Sequence, residues 1–364
     1  MTPRADALCR LLDIEFPIIQ SGMSRVAGAE LVAEVSKAGG LGILAALRLT
    51  PDELRREIDR IRGLTDRPFG VNLWLHPGVV HPVAPESIPE TALADVQHTL
   101  DEFRAELAIP ASSTRPAAFP DLVARNFEVI LEQRVPVWSI GLGDPGREMV
   151  ARCRARGVRV MAMVTNADDA RTVEASGVDL IVAQGSEAGG HRSAWSPGRQ
   201  DAGTMVLVPR IVDAVNVPVL AAGGIADGRG LVAALALGAS GAVLGTRFIA
   251  ARESIAPAFF KDAVVGAEPG DTVVSNAFTG LPMRVLRNRF TEHYGRRPVL
   301  PPMLQSSAAQ DIFAAADSRG DREHFPMPAG ESAGLIGDLP PAAAIVRALV
   351  SEANAVLRWW RTDV

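Results

Sequence analysis

What most constrains this chain is an alternation. Eight short apolar runs of strand length recur, separated by longer stretches with helical periodicity: FPIIQSG (16–22), LGILAA (41–46), FGVNLWL (69–75), VPVWSIGLG (135–143), RVMAMVT (159–165), VDLIVAQG (178–185), PVLAAGG (218–224) and GAVLGTRF (241–248). The runs are apolar throughout rather than alternately polar, as in strands covered on both faces. The intervening stretches carry helix boundaries: Thr50 precedes Pro51 in TPDELRREIDRIRG, and Asn166 opens and Gly177 closes NADDARTVEASG. Strand–helix alternation of this kind requires parallel pairing with helical crossovers, and eight units suit a closed (β/α)8 TIM barrel better than an open sheet. The barrel is expected over 1–251.

Two segments break the rhythm. Residues 76–119, rich in Pro and polar residues, read as an excursion after the third strand with one short helix around 90–107. Residues 252–340 lack strand patterning and read as a C-terminal helical cap. The amphipathic stretch 341–364 is expected to be a last helix packing back on the barrel.

Composition removes several function classes. The net charge of −5 with interspersed signs provides no basic patch of the kind nucleic acid needs. Two cysteines, Cys9 and Cys153, are too few for a disulfide framework or a thiolate zinc site, which suits a reducing compartment. The first residues contain no apolar segment of signal-peptide length, and the longest stretch free of Asp, Glu, Lys, Arg and His, 230–246, is too short and glycine-broken to span a bilayer. A cytoplasmic protein is the expectation, with no membrane partner. There is no metal-ligand spacing, no G-x-S-x-G elbow and no phosphate-binding P-loop.

In a barrel of this type chemistry sits at the C-terminal ends of the strands. The residues that interrupt the apolar pattern collect there: Gln20 to Met23, Asn72, Gln184 to His191, Gly223 and Gly224, Gly245 and Thr246. The glycine-rich loops after the seventh and eighth strands are this fold's usual phosphate site, where backbone N–H groups at a helix start can hold an anion. An asparagine inside an apolar strand needs polar partners, and the amide edge of Asn72 or Gln184 matches the amide-like edge of a planar ring. His191 follows two glycines at the mouth, unfenced by bulk, and can act as general base or hydrogen-bond donor to a substrate. A purine-attacking loop cysteine is disfavoured, because Cys9 precedes the first strand and Cys153 lies in a helix.

Together PIIQSGMSRVAGAELVAEVSKAGGLGIL, FGVNLWL, AQGSEAGGHRS and PVLAAGGIADGRGLVAALALGASGAVLGTRFIA resemble, in order, the flavin-dependent nitronate monooxygenases, once called 2-nitropropane dioxygenases. The resemblance covers most of residues 14–252. It implies FMN held by Gly22 and Met23, by the side chains of Asn72 and Gln184, by Gly189, Gly190, Gly223 and Gly224, and by Val243, Leu244, Gly245 and Thr246 around the phosphate. It makes His191 the catalytic base or substrate anchor. The implied reaction converts an alkyl nitronate or nitroalkane and O2 into a carbonyl compound and nitrite, and a homodimer is one assembly the resemblance admits. The same superfamily contains NAD(P)H-dependent FMN reductases acting on enoyl-acyl-carrier-protein thioesters or quinones, which is the alternative reading. The chain departs from the monooxygenase pattern at Gly22, where many members carry proline, and in having a single tyrosine, Tyr294. Its long cap is closer to the monooxygenase branch, and MPAGESAGLI can return Gly330 to the mouth.

Overall fold

The computed structural model describes residues 2–196 and 201–362. Strands β1 (Ile18–Gln20), β2 (Gly42–Ala45), β3 (Phe69–Trp74), β4 (Val137–Gly141), β5 (Arg159–Val164) and β6 (Leu180–Gln184) are followed by a two-residue strand β7 (Gly190–His191), then β8 (Val219–Ala222) and β9 (Gly241–Leu244). All except β7 form one parallel sheet in the order β1-β9-β8-β6-β5-β4-β3-β2. The seam between β1 and β2 closes through a parallel bridge from Ile19 to Leu41, with Gln20 N–H donating to the Leu41 carbonyl at 2.9 Å. The result is the expected (β/α)8 barrel, and each barrel strand lies within the apolar run read for it.

The all-apolar strands still alternate, because both faces are buried but against different things. Ile19, Ile43, Val137, Met161, Leu180, Val182, Leu220 and Val243 fill the barrel interior. Ile18, Leu44, Val71, Leu73, Ile140, Ile181, Ala183 and Leu244 face the surrounding helices. The helix Pro3–Leu12 contributes Leu8 and Leu12 to the interior cluster. The helices begin where their caps dictate. Thr50 and Glu53 form a complete capping box at the start of Pro51–Leu64, and Asn166 accepts from Asp169 N–H at 2.8 Å while Gly177 ends that helix at φ 93°.

Two expectations are corrected. Residues 252–340 are not wholly helical: β10 (Thr272–Ser275) and β11 (Met283–Leu286) form an antiparallel hairpin, and β7 joins its edge with His191 opposite Met283. Four-residue strands are too short for alternation to register in sequence. The helix of the excursion runs Glu90–Glu106, within the bounds read for it, but its packing differs from the expectation of a barrel excursion. Its buried face, Leu93, Val96, Leu100 and Phe103, shares a second hydrophobic core with Phe278, Val285, Phe290, Tyr294, Ile312 and Phe313 of the cap. By packing, therefore, the excursion is part of the cap.

The final helix, Ala342–Thr362, packs against Gly228–Ala236 and Ala29–Lys37, and residues 363 and 364 of the expected segment lie outside the described residues. Among the described residues, no helix is long and apolar enough to cross a membrane.

Candidate active site

A cavity of about 350 Å³ opens at the C-terminal ends of the barrel strands, and Gly22, Met23, Asn72, Gln184, Gly189, Gly190, His191, Gly223, Gly224, Val243, Gly245 and Thr246 all line it. Its size falls within the roughly 300–1,000 Å³ of small-molecule sites. The strand parity explains the membership. Asn72 on β3 and Gln184 on β6 have the inward parity, opposite to Val71, Leu73, Ile181 and Ala183. The same alternation removes Leu244, whose side chain points outward into the helix-facing core, although its carbonyl accepts from Ser21 N–H at 3.0 Å. Gln20 is also absent from the cavity. It is fully buried at the seam, where its Oε1 accepts from Ile43 N–H at 3.2 Å and its Nε2 donates to the Ile43 carbonyl at 3.2 Å.

His191 is held from three sides. Its Nε2 lies 2.8 Å from the Thr279 hydroxyl, and its ring meets Trp74 edge-on with centroids 4.5 Å apart. Its carbonyl accepts from Gln184 Nε2 at 2.9 Å. Burial, then the positive charges of Arg48 and His76, push its pKa down to about 3, so the imidazole is neutral at ordinary pH. Among the described residues no group bonds Nδ1, the ring nitrogen left for a ligand.

Gln184 has a role the sequence did not suggest. Its Oε1 accepts from Ser193 N–H at 2.7 Å, so both ends of the amide fasten the 191–193 segment. Each end keeps one further hydrogen-bonding position. Asn72 is different: its Nδ2 donates to the Ser139 carbonyl and hydroxyl at 3.2 and 3.1 Å, and among the described residues its Oδ1 accepts nothing.

The glycines after β6 are explained by close approach. A Cβ on Gly189 would stand 2.4 Å from the Gly330 nitrogen, because the Gly330 loop does return to the mouth. Gly330 N–H donates to the Thr246 hydroxyl and Glu331 N–H to the Glu187 carbonyl, both at 2.9 Å. Behind the loop, buried Arg192 donates to the Gly185 carbonyl at 2.9 Å and to the Ser186 carbonyl at 3.3 Å, and Arg284 donates to Ser186 at 2.9 Å.

Of the two anticipated helix starts, the one after β8 already has protein acceptors. Asp227 already caps the helix Gly228–Ala236 by accepting from Arg229 and Gly230 N–H, and the Glu352 carboxylate accepts from Gly228 N–H at 2.9 Å. Glu187 similarly occupies the start of Thr204–Val212, accepting from Thr204 N–H at 2.9 Å. The donors that remain are the loop amides of Gly223 and Gly224 and those of Gly245 and Thr246, the cap and first residue of the short helix Thr246–Ile249. Among the described residues, no protein acceptor takes the N–H groups of Gly223, Gly224, Gly245 or Thr246. Gly223 and Gly224 adopt φ of 108° and 73°, backbone that only glycine enters without strain. Cys9 and Cys153 are buried elsewhere, and burial pushes their thiols up to about 11 and about 12.

The family model for nitronate monooxygenase matches residues 5–352. The chain belongs to the nitronate monooxygenase family. Members of that family are flavin-dependent oxidoreductases acting on small molecules. A probable nitronate monooxygenase of Staphylococcus aureus (strain Newman) is 34% identical over 359 residues, covering 97% of this chain and 98% of the relative. The structure of nitroalkane oxidase from Streptomyces ansochromogenes superposes with a TM-score of 0.87 at 34% identity, covering 97% of this chain and 99% of that one. FabK from Thermotoga maritima superposes with a TM-score of 0.77 at 33% identity, covering 98% and 99%. Sequence identity scarcely separates these two solved structures, whereas the backbone is nearer the nitroalkane oxidase.

Within the family's shared barrel, residues that sequence reasoning missed belong mainly to the cap and to the loops after β2 and β3. Thr279, Met283 and Phe278 come from the cap, Arg48 follows β2, and Trp74 ends β3. No local motif marks Thr279, whose role depends on β11 pairing with the His191 strand.

Proposed function

We propose that the protein oxidises alkyl nitronates with O2 to a carbonyl compound and nitrite, using FMN, with His191 as the residue that receives the substrate. FMN fits the residues present. The unpartnered amides of Gly223, Gly224, Gly245 and Thr246 suit its phosphate, the free Oδ1 of Asn72 suits the amide-like edge of its ring, and Val243, Gly22 and Met23 supply the remaining lining. Bound there, FMN supplies the electron acceptor for the nitronate and the electrons for O2.

The observation that carries the substrate reading is the placement of His191 on the cavity wall with Nε2 held 2.8 Å from the Thr279 hydroxyl, in surroundings that disfavour its charged form. A group whose pKa is held near 3 is a poor base for a neutral nitroalkane, since ionising it in place is opposed by burial and by Arg48. A nitronate has already lost its α-proton and asks only for hydrogen bonding. With Nε2 engaged by Thr279, Nδ1 is free to contact the ligand. Trp74 and Thr279 set the ring orientation, and Gln184 fixes the backbone beneath it. Phe278, Met283 and Phe313 close the cap side with apolar surface and limit water.

The test is nitrite formation and oxygen consumption with ethylnitronate and with neutral nitroethane. Ethylnitronate is expected to turn over with a kcat/KM that shows no ionisation of His191 above about pH 5, roughly two units beyond its pKa, with nitroethane much slower. His191→Asn is expected to retain flavin and lose rate. A flavin that is reduced by NADH or NADPH and not by the nitronate would assign the protein to the reductase reading instead.

A further inference from the structure

The residue after His191 carries a buried charge that packing does not explain. Arg192 is 5% exposed, and the partners of its guanidinium are all backbone carbonyls: Gly185 at 2.9 Å, Ser186 at 3.3 Å, Gln184 at 3.4 Å and Ala188 at 3.5 Å. Its Nε has no acceptor among the described residues. Burial and the neighbouring charge of Arg284 both disfavour the cation. An apolar side chain of the same size would cost the fold less than a charge in these surroundings.

The turn that the guanidinium binds shows what the charge does. Its four carbonyls belong to the segment between β6 and the His191 strand β7. In a trans peptide the C=O of one residue and the N–H of the next point in opposite directions. With the carbonyls of Gln184, Gly185, Ser186 and Ala188 drawn behind the loop, the N–H groups of Gly185, Ser186, Glu187 and Gly189 face the other way. Those of Gly185 and Ser186 donate to the Ala222 and Ala202 carbonyls at 2.8 and 2.9 Å. Those of Glu187 and Gly189 have no acceptor among the described residues, and of these two residues only Gly189 lines the cavity. Arg192 N–H itself donates to the Pro282 carbonyl at 3.0 Å, so the residue ties this turn to the cap hairpin that β7 joins.

We propose that Arg192 is a positioning residue of the site: by holding the carbonyls of the 184–188 turn behind the loop, it keeps the Gly189 N–H turned toward the cavity as a donor to the flavin ring. The proposal rests on the cavity holding the flavin. A donor at the ring's acceptor atoms favours the electron-rich reduced form over the oxidised form, so the turn that Arg192 holds raises the reduction potential.

The experiment uses Arg192→Met and Arg192→Lys in the full chain. Amide hydrogen exchange of the flavin-free proteins reads the turn itself: exchange across residues 184–190 is expected to speed up at least ten-fold in Arg192→Met, with β3 as the unchanged reference. The flavin-loaded proteins are then titrated reductively against a reference dye. The preference for reduced over oxidised flavin is expected to fall at least ten-fold in Arg192→Met, which is about 30 mV for a two-electron couple. Arg192→Lys keeps the charge without the planar fork that spans several carbonyls, and is expected to show both changes in smaller measure. It carries both measurements if Arg192→Met does not fold.

An unaltered potential in the folded, flavin-loaded variant would overturn the proposal, whatever its thermal stability, and leave Arg192 a structural residue. A potential lowered in Arg192→Met and fully restored in Arg192→Lys would also overturn it, by assigning the effect to charge alone. So would unchanged exchange across 184–190. If the unsubstituted chain took up no flavin, the functional reading would fail, and the exchange measurement would still decide what Arg192 holds.

Discussion

The barrel and the cap have different kinds of core. In the barrel each buried residue repeats a rule: eight strands, inward positions filling the interior, outward positions meeting the helices. In the cap the core is assembled from segments nearly two hundred residues apart, and its central polar tie is Arg104. That guanidinium, 1% exposed, donates to Asp311 Oδ2 at 2.7 Å, to Asp101 and Gln97 at 2.7 Å, and to the Ala308 carbonyl at 2.8 Å. Around it Phe103, Phe290 and Phe278 stack in sequence, with centroids 4.4 and 4.8 Å apart. The site lies between the two, with its amides supplied by the barrel and the hydroxyl that holds His191 supplied by the cap. Periodicity can specify the first region, whereas only tertiary packing specifies the second.

Aromatic probes separate the regions. The single tyrosine, Tyr294, is buried in the cap, where burial raises its phenol to about 12, while buried Trp138 sits in the barrel core. Arg104→Met is expected to have the largest effect, costing the cap about 3–5 kcal/mol because it takes the donor from the buried Gln97 amide oxygen and Ala308 carbonyl, at about 1–3 kcal/mol each, while the part-exposed Asp101 and Asp311 add little. Alkaline absorbance should then show Tyr294 ionising nearer the ordinary phenol range while barrel fluorescence is retained; simultaneous loss of both signals would show that the two cores are not separable. Next is Leu244→Ala, expected to cost about 2–5 kcal/mol of barrel stability in a denaturant titration with flavin affinity at saturating stability unchanged, since the side chain faces away from the cavity. A selective loss of flavin would reverse that placement.

Asn72→Ala should weaken flavin binding by about 1–3 kcal/mol, measured by equilibrium dialysis. Gln184→Ala should act more on the rate than on flavin affinity, since its amide holds the His191 segment. A further effect concerns pH and is bounded per pH unit rather than as a single loss. His191 has a folded pKa below its unfolded value near 6.5, so the unfolded chain binds a proton that the folded chain refuses as pH falls from about 6.5 to about 3. Stability contributed by the neutral form is complete above about 6.5 and is lost below it, at no more than about 1.4 kcal/mol per pH unit. His191→Gln should flatten that part of the pH–stability curve.

The barrel was legible in the sequence because its signals are local. Apolar runs, Thr50 with Glu53, and Asn166 with Gly177 each declare themselves within a few residues. Most of the candidate site was legible for a related reason, since Asn72, the 189–191 turn and the paired glycines interrupt those runs at strand ends. Leu244 was read into the site because a contiguous motif hides strand parity, which admits Val243 and excludes its neighbour. Thr279, Arg48 and the hairpin carrying β11 were not legible. Their roles arise from a cap strand pairing with β7 and from loops meeting around one cavity, neither of which leaves a local pattern.

The most direct measurement is anaerobic stopped-flow absorbance of the flavin-loaded protein mixed with ethylnitronate, and separately with NADH or NADPH. Flavin bleaching by the nitronate alone, followed by nitrite once O2 is admitted, is the predicted result. Bleaching by a nicotinamide with none by the nitronate would contradict it.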